Sequence, residues 1–173
     1  MLNVRLAVET DCKAICDLYN DLLDIMGPNN PQRWTKGVYP SDEFVKTTIG
    51  NKSMYIAIFE DEVVGAMVLD HNFTKGYELV NWDIDAKDEE VISIHALCVN
   101  PHYTRRGFAT EMIRNAVNIT RKLGSKALRL DVIDGHDGAN KLYLSAGFTC
   151  KGEHELSYDS TDCKKFTMYE YIV

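Results

Sequence analysis

The run VISIHALCVNPHYTRRGFAT, from Val91 to Thr110, decides how the rest of the chain is read. Its first nine residues are apolar on both faces apart from Ser93 and His95, which share one face by the two-residue period of a strand. A strand buried on both sides belongs in the middle of a sheet. Beyond Asn100-Pro101 the chain turns basic at Arg105-Arg106 and passes Gly107. It then becomes helical, with Ala109, Met112, Ile113, Ala116, Val117 and Ile119 as an apolar stripe that Gly124 ends. A strand, a glycine turn and a helix in that order make an anion site. The first amides of the helix have no intrahelical acceptor, and with the positive end of the helix dipole they can hold the oxygens of a pyrophosphate. Gly107 and Ala109 are small enough to let phosphates reach the backbone.

Outward from this centre, Val4–Ala7 reads as a short strand. A helix follows, capped by Thr10 or Asp11, with Ile15, Leu18, Leu22 and Ile25 at helical spacing and a stop at Gly27-Pro28. Residues 28–40 form an aromatic-bearing loop, and Ser41-Asp42-Glu43 opens a second helix. Residues 54–69 read as a β-hairpin around Glu60-Asp61-Glu62, and residues 77–90 are irregular and acidic. Residues 127–132 are the next strand and residues 139–146 a short helix closed by Gly147. Residues 148–156 and 166–173 are two final strands. The expected fold is α/β (α+β): a single domain over residues 1–173, with a mixed central sheet of about six to seven strands and about four flanking helices.

The composition, 45% hydrophobic and 26% charged, is that of a globular protein. No apolar run approaches the ~20 residues that span a bilayer, and residues 1–6 lack a signal-peptide pattern, so a cytoplasmic protein without membrane contact is expected. The five cysteines, Cys12, Cys16, Cys98, Cys150 and Cys163, have no metal-ligand spacing and read as reduced thiols, with no metal site. A net charge of −7 argues against a nucleic-acid partner. Between Thr104 and Arg129, however, seven basic residues stand against one acid, Glu111. A basic zone on an acidic body suits an anionic cofactor beside a cationic acceptor, although a solvated helix carrying Lys and Arg gives the same count.

Val99-Asn100-Pro101 followed by Arg105-Arg106-Gly107-Phe108-Ala109 resembles motif A of the GNAT superfamily of acetyltransferases, Q/R-x-x-G-x-G/A, with Thr104 in the Gln/Arg position. Ala139-Asn140-Lys141-Leu142-Tyr143-Leu144-Ser145-Ala146-Gly147-Phe148 resembles motif B, A-x-x-L-Y-x-x-x-G-F; where the family often has Asn seven residues before the Tyr, this chain has His136. The resemblance extends over nearly the whole chain. It implies an acetyl-CoA-dependent N-acetyltransferase that transfers directly to a small-molecule amine. The implied cofactor contacts are Leu97, Cys98, Val99, Thr104, Arg105, Arg106, Gly107, Phe108, Ala109, Thr110, Asn140 and Tyr143.

Making an amide from a thioester requires an unprotonated amine, a polarised carbonyl and a protonated leaving thiolate. An alkylamine titrates near ~10, so a base must take its proton at neutral pH. His95, with a reference value near ~6.5, is the first candidate, and Ile94–Val99 resembles the strand of arylalkylamine N-acetyltransferases, which carries a histidine there. A histidine hydrogen-bonded within the sheet, or touching the acceptor, is the alternative. Glu89, Glu90, Asp83 and Asp85 could serve through a water relay. The resemblance gives Tyr143 the role of acid to the thiolate and gives a backbone amide near Leu97 or Cys98 the carbonyl, leaving Cys98 as wall. Trp34, Tyr39 and Trp82, with Tyr77 and the acids of residues 83–90, could form an aromatic, acidic mouth for a cationic amine, or could be loop packing. A non-catalytic acyl-CoA sensor and a protein N-terminal or lysine acetyltransferase stay open as alternatives, and so does a homodimer built on a late edge strand.

Overall fold

The computed structural model describes residues 2–173. It contains four α-helices and a seven-stranded mixed sheet with strand order β1-β2-β3-β4-β5-β7-β6. The chain divides into two units. One comprises residues up to Leu69 together with His95–Asn115; the other comprises Asp70–Ile94 and Ala116–Val173.

In the first unit, β1 (Asn3–Leu6), β2 (Met54–Phe59) and β3 (Glu62–Asp70) run antiparallel in register, with Val4 opposite Ala57 and Tyr55 opposite Met67. Glu60 (φ 50°) and Asp61 (φ 65°) are both left-handed. Such a two-residue turn matches the right-handed twist of the strands it joins. Helix α1 (Cys12–Met26) buries Ile15, Leu18, Tyr19, Leu22 and Leu23 and ends at Gly27, whose φ of 68° suits a residue without a Cβ. Neither residue expected to cap α1 does so through its side chain. Glu9–Asp11 is a 3-10 turn, and the Asp11 carboxylate is spent upstream, accepting from Val8 N at 2.8 Å and from the Arg5 guanidinium at 2.7 and 2.9 Å. Helix α2 (Asp42–Gly50) is capped as expected, Ser41 Oγ accepting from Phe44 N at 3.1 Å. Both helices pack on a core that includes Met54, Ile56, Val68, Ala96 and Cys98. A Cβ on Gly65 would stand 2.9 Å from the Cys98 carbonyl oxygen and 2.6 Å from Met112 Sδ, so the backbones close up here because position 65 has no side chain.

In the second unit, β4 (Val91–Val99) begins parallel to β5 (Ala127–Ile133), in register from Val91 and Ala127 to Ser93 and Arg129. Strand β7 (Lys165–Ile172) runs antiparallel to β5, and β6 (Thr149–Glu155) antiparallel to β7. Helix α3 (Phe108–Lys122) starts in the first unit and ends in the second. Helix α4 (Asp137–Ser145) starts two residues earlier than its apolar pattern suggests, because His136 caps it: His136 Nδ1 accepts from Ala139 N at 3.3 Å. Burial holds His136 below its ordinary pKa, which favours the neutral ring that can accept.

The irregular segment between β3 and β4 is tied to the sheet by a buried ion pair. Arg129, 5% exposed, donates to Glu170 Oε1 at 2.9 Å and to the Ile84 carbonyl at 3.0 Å; Glu170, 1% exposed, accepts from Asp83 N at 2.6 Å. Both charges are thus bonded to each other and to the loop backbone, the condition under which burying them is tolerable. Arg129→Met therefore destabilises the protein by about 3–5 kcal/mol, because Glu170 is left buried and unpaired, and Arg129→Met/Glu170→Leu recovers only part of that loss, because it leaves both Asp83 N and the Ile84 carbonyl without their partners. Urea denaturation of the two variants checks both values.

Candidate active site

Strand β4 does not run straight through its second half. Ala96 has φ 49°, a left-handed residue inside a strand, which costs roughly 1–3 kcal/mol for a side chain other than glycine and turns a peptide group out of the ladder. The carbonyl so displaced is met by α1: Tyr19, 2% exposed, donates its hydroxyl to Ala96 O at 2.7 Å. Burial pushes the Tyr19 phenol well above its ordinary pKa, so the donor keeps its proton. Downstream, Ala96 and Cys98 are buried while His95, Leu97 and Val99 are half-buried. Burial pushes the Cys98 thiol up to about 12, so it stays protonated and forms wall.

The strand gives way to a short 3-10 turn, Pro101–Tyr103, capped by Asn100, whose Oδ1 accepts from His102 N at 3.0 Å. Two left-handed residues follow, Arg105 (φ 62°) and Gly107 (φ 79°), and α3 opens with Glu111 N bonded to Gly107 O at 3.0 Å. Left-handed residues interleaved with others aim successive amides into one concavity, a nest for an anion. The amides of Phe108, Ala109 and Thr110 lie in the helix's first turn, where no intrahelical acceptor exists. A Cβ on Gly107 would meet no protein atom within 4 Å. Its glycine is therefore needed for the positive φ, and the space beside it is open to a ligand. Arg106 is braced over the rings of Phe59 and Tyr103, at 5.6 and 5.3 Å from their centroids, and Tyr103 donates to Glu62 at 2.6 Å.

In the second unit, α4 carries Asn140 and Tyr143. Asn140 Oδ1 accepts from the Tyr169 hydroxyl at 2.9 Å, so its oxygen is committed within the protein. Tyr143 is 7% exposed, with its ring against Phe148 and Tyr169 at 5.5 and 6.0 Å between centroids. Burial, and then the nearby Asp131 carboxylate, push its phenol well above the ordinary value. Among the described residues four tyrosines are buried. Tyr19 donates to Ala96 O, Tyr77 to Asp131 and Tyr169 to Asn140, whereas the Tyr143 hydroxyl donates to no group among the described residues and is not sealed from solvent. A buried phenol normally finds a partner.

The three aromatics expected at the acceptor are divided between the two units. Trp34 and Tyr39 lie in the first unit, edge-on to Tyr19 and Phe44, and Asn30 locks their loop by bonding Trp34 N and Trp34 O, each at 2.9 Å. Trp82 lies in the second unit, beside Tyr77 and 4.3 Å over the Arg129 guanidinium. Residue types and spacing gave no warning of Tyr19, Ala96 or Asp131. Asp131 accepts both the Tyr77 hydroxyl, at 2.5 Å, and the Tyr158 hydroxyl, at 2.7 Å.

Residues 17–148 match the model of the acetyltransferase (GNAT) family. An uncharacterised N-acetyltransferase of Methanocaldococcus jannaschii is 32% identical over 68 residues, 39% of this chain and 30% of that protein, so the aligned region spans less than a third of that relative's length. A GNAT-family acetyltransferase of Streptococcus agalactiae shares the fold at TM-score 0.82 and 14% identity, over 99% of this chain and 95% of that one. A Salmonella typhimurium protein, described as an acetyltransferase and solved with its cofactor acetyl-CoA, does so at TM-score 0.73 and 13% identity, over 99% and 94%.

Tyr19→Phe leaves the Ala96 carbonyl buried without its donor and lowers stability by about 1–3 kcal/mol. Urea unfolding measures the loss; an unchanged midpoint would mean that the kink in β4 is held by something else.

Proposed function

Because the chain belongs to the GNAT acetyltransferase family, we propose that it is an N-acetyltransferase moving the acetyl group of acetyl-CoA directly onto a primary amine of a small acceptor, with residues 1–173 acting as one domain. The observation that carries this reading is Tyr143: a buried tyrosine whose hydroxyl is used by no group among the described residues. A protein that only bound the cofactor would have no chemical need for that hydroxyl.

The turn fits a pyrophosphate, since left-handed Arg105 and Gly107, the first amides of α3 and the open space beside Gly107 together form an anion cradle. Residues 104–110 hold the phosphates, Arg105 and Arg106 adding positive charge. Acetyl-CoA, when bound, supplies a thioester whose carbonyl carbon accepts an amine. A backbone N–H of Leu97 or Cys98, next to the kink at Ala96, donates to that carbonyl and polarises it. His95 takes the proton of the amine. Tyr143, held above its ordinary pKa, is fully protonated at neutral pH and gives its proton to the departing sulfur.

Two outcomes are expected. Gly107→Val, which forces a branched side chain into a left-handed turn and fills the cradle, weakens CoA binding by about tenfold or more in calorimetry, while the fold survives by circular dichroism. In a thiol-release assay with acetyl-CoA and a panel of amines, Tyr143→Phe and His95→Ala each lower kcat by about a hundredfold, the usual scale of acid–base catalysis, with CoA affinity retained. Full activity in His95→Ala would remove the histidine as base. CoA binding without turnover on any amine would leave a sensor.

A further inference from the structure

The second unit contains a cavity of about 470 Å³ formed by residues 73–88 and Arg129. Its apolar walls are Phe73, Tyr77 and Trp82, whose rings follow one another at 5.3 and 5.7 Å between centroids. Its polar lining includes Glu78, Asp85 and Asp88. Two cationic side chains also line it, but Arg129 is committed to Glu170 and to the Ile84 carbonyl, so three carboxylates stand against Lys75, of which Glu78 also accepts from the Gly76 amide at 2.8 Å.

The cavity is built rather than left over. A segment with only two short 3-10 turns, Tyr77–Leu79 and Asp88–Glu90, loses much conformational entropy when it is held in one shape. The chain holds it with several separate bonds. Trp82 Nε1 donates to Tyr77 O at 2.9 Å, Asp83 N donates to Glu170, Lys151 pairs with Asp83 at 2.5 Å, and Arg129 lies under the Trp82 ring. Tyr77 links the cavity to the rest of the unit: its ring is a wall, and its hydroxyl donates to Asp131, the carboxylate whose field reaches Tyr143.

We propose that this cavity binds the body of the acceptor and selects an amine carrying a second cationic group on an apolar chain, a di- or polyamine. The inference rests on the acetyltransferase reading. The aromatic walls take the methylene chain and the face of an ammonium, and Glu78, Asp85 and Asp88 hold the second charge. A monoamine of the same length satisfies the walls and leaves the excess negative charge of the lining, three carboxylates against Lys75, without a second cation.

The test compares butylamine, 1,4-diaminobutane and spermidine on the full chain loaded with CoA, by calorimetry, and with acetyl-CoA, by thiol release. The diamine and spermidine are expected to bind about tenfold tighter than butylamine, the combined scale of two part-exposed ion pairs. In Glu78→Gln/Asp88→Asn that preference shrinks to about threefold or less, with CoA affinity and Tm unchanged; Trp82→Leu weakens all three amines. Equal binding of butylamine and diaminobutane, or a preference that survives the double substitution, overturns the proposal even if both amines are acetylated. Selective binding without acetylation supports the cavity's role and counts against the enzymatic reading instead.

Discussion

The hydrogen bond from Tyr19 to the Ala96 carbonyl is the constraint on which the first unit depends. A central strand that continued in ordinary pleat would commit its peptide groups to its neighbours. The left-handed Ala96 breaks that regularity, and the displaced carbonyl would be an orphan in the core without a donor. Tyr19 comes from the middle of α1, so the pose of that helix and the shape of β4 are fixed together. The alternation of half-buried His95, Leu97 and Val99 with buried Ala96 and Cys98 then delivers the chain to the turn that opens α3.

The second unit has the same problem in a different form. Its irregular segment offers backbone groups that no strand can satisfy, and it uses charge where the first unit uses a phenol. Glu170 receives the Asp83 amide and Arg129 supplies the Ile84 carbonyl, with the pair itself nearly sealed. An apolar pair could stabilise a sheet equally well. It could not bond two peptide groups of a loop at once, and this explains why the ions sit beneath that loop.

Much of this was legible in the sequence because it follows from period and punctuation. The nine-residue strand ending at Val99, the turn at Gly107 and the helix beginning at Phe108 have the positions their pattern predicts, and Ser41 caps α2 as its place before Asp42-Glu43 requires. What could not be read depends on partners far apart in the chain. Nothing in Ile94-His95-Ala96-Leu97 marks Ala96 as left-handed, since alanine disfavours that region, and the donor that bonds its carbonyl lies 77 residues away, in Tyr19. Asp11 looked like a cap because aspartate before a helix usually is one, but Arg5 claims its carboxylate first. Trp34 and Tyr39 read from composition as either a mouth or loop packing, and the bonds of Asn30 to the Trp34 backbone, which fix their loop, could not be read from it.

The tyrosines sort structure from chemistry by a single criterion. Burying a phenol strips its hydroxyl of water, and a fold that gains nothing from the hydroxyl would do as well with phenylalanine. Tyr19, Tyr77 and Tyr169 repay their burial inside the fold, each bonded to a group that would otherwise lack a partner or an orientation. Tyr143 is also buried, with Phe148 and Tyr169 against its ring and an anion at Asp131 that raises its pKa further, and no bond in return among the described residues. A phenol kept protonated and largely buried, with no partner among the described residues, departs from the rule that the other three follow. Of the four buried phenols among the described residues, Tyr143 alone keeps its hydroxyl out of the fold's own bonds, and the proposed acid role rests on that difference.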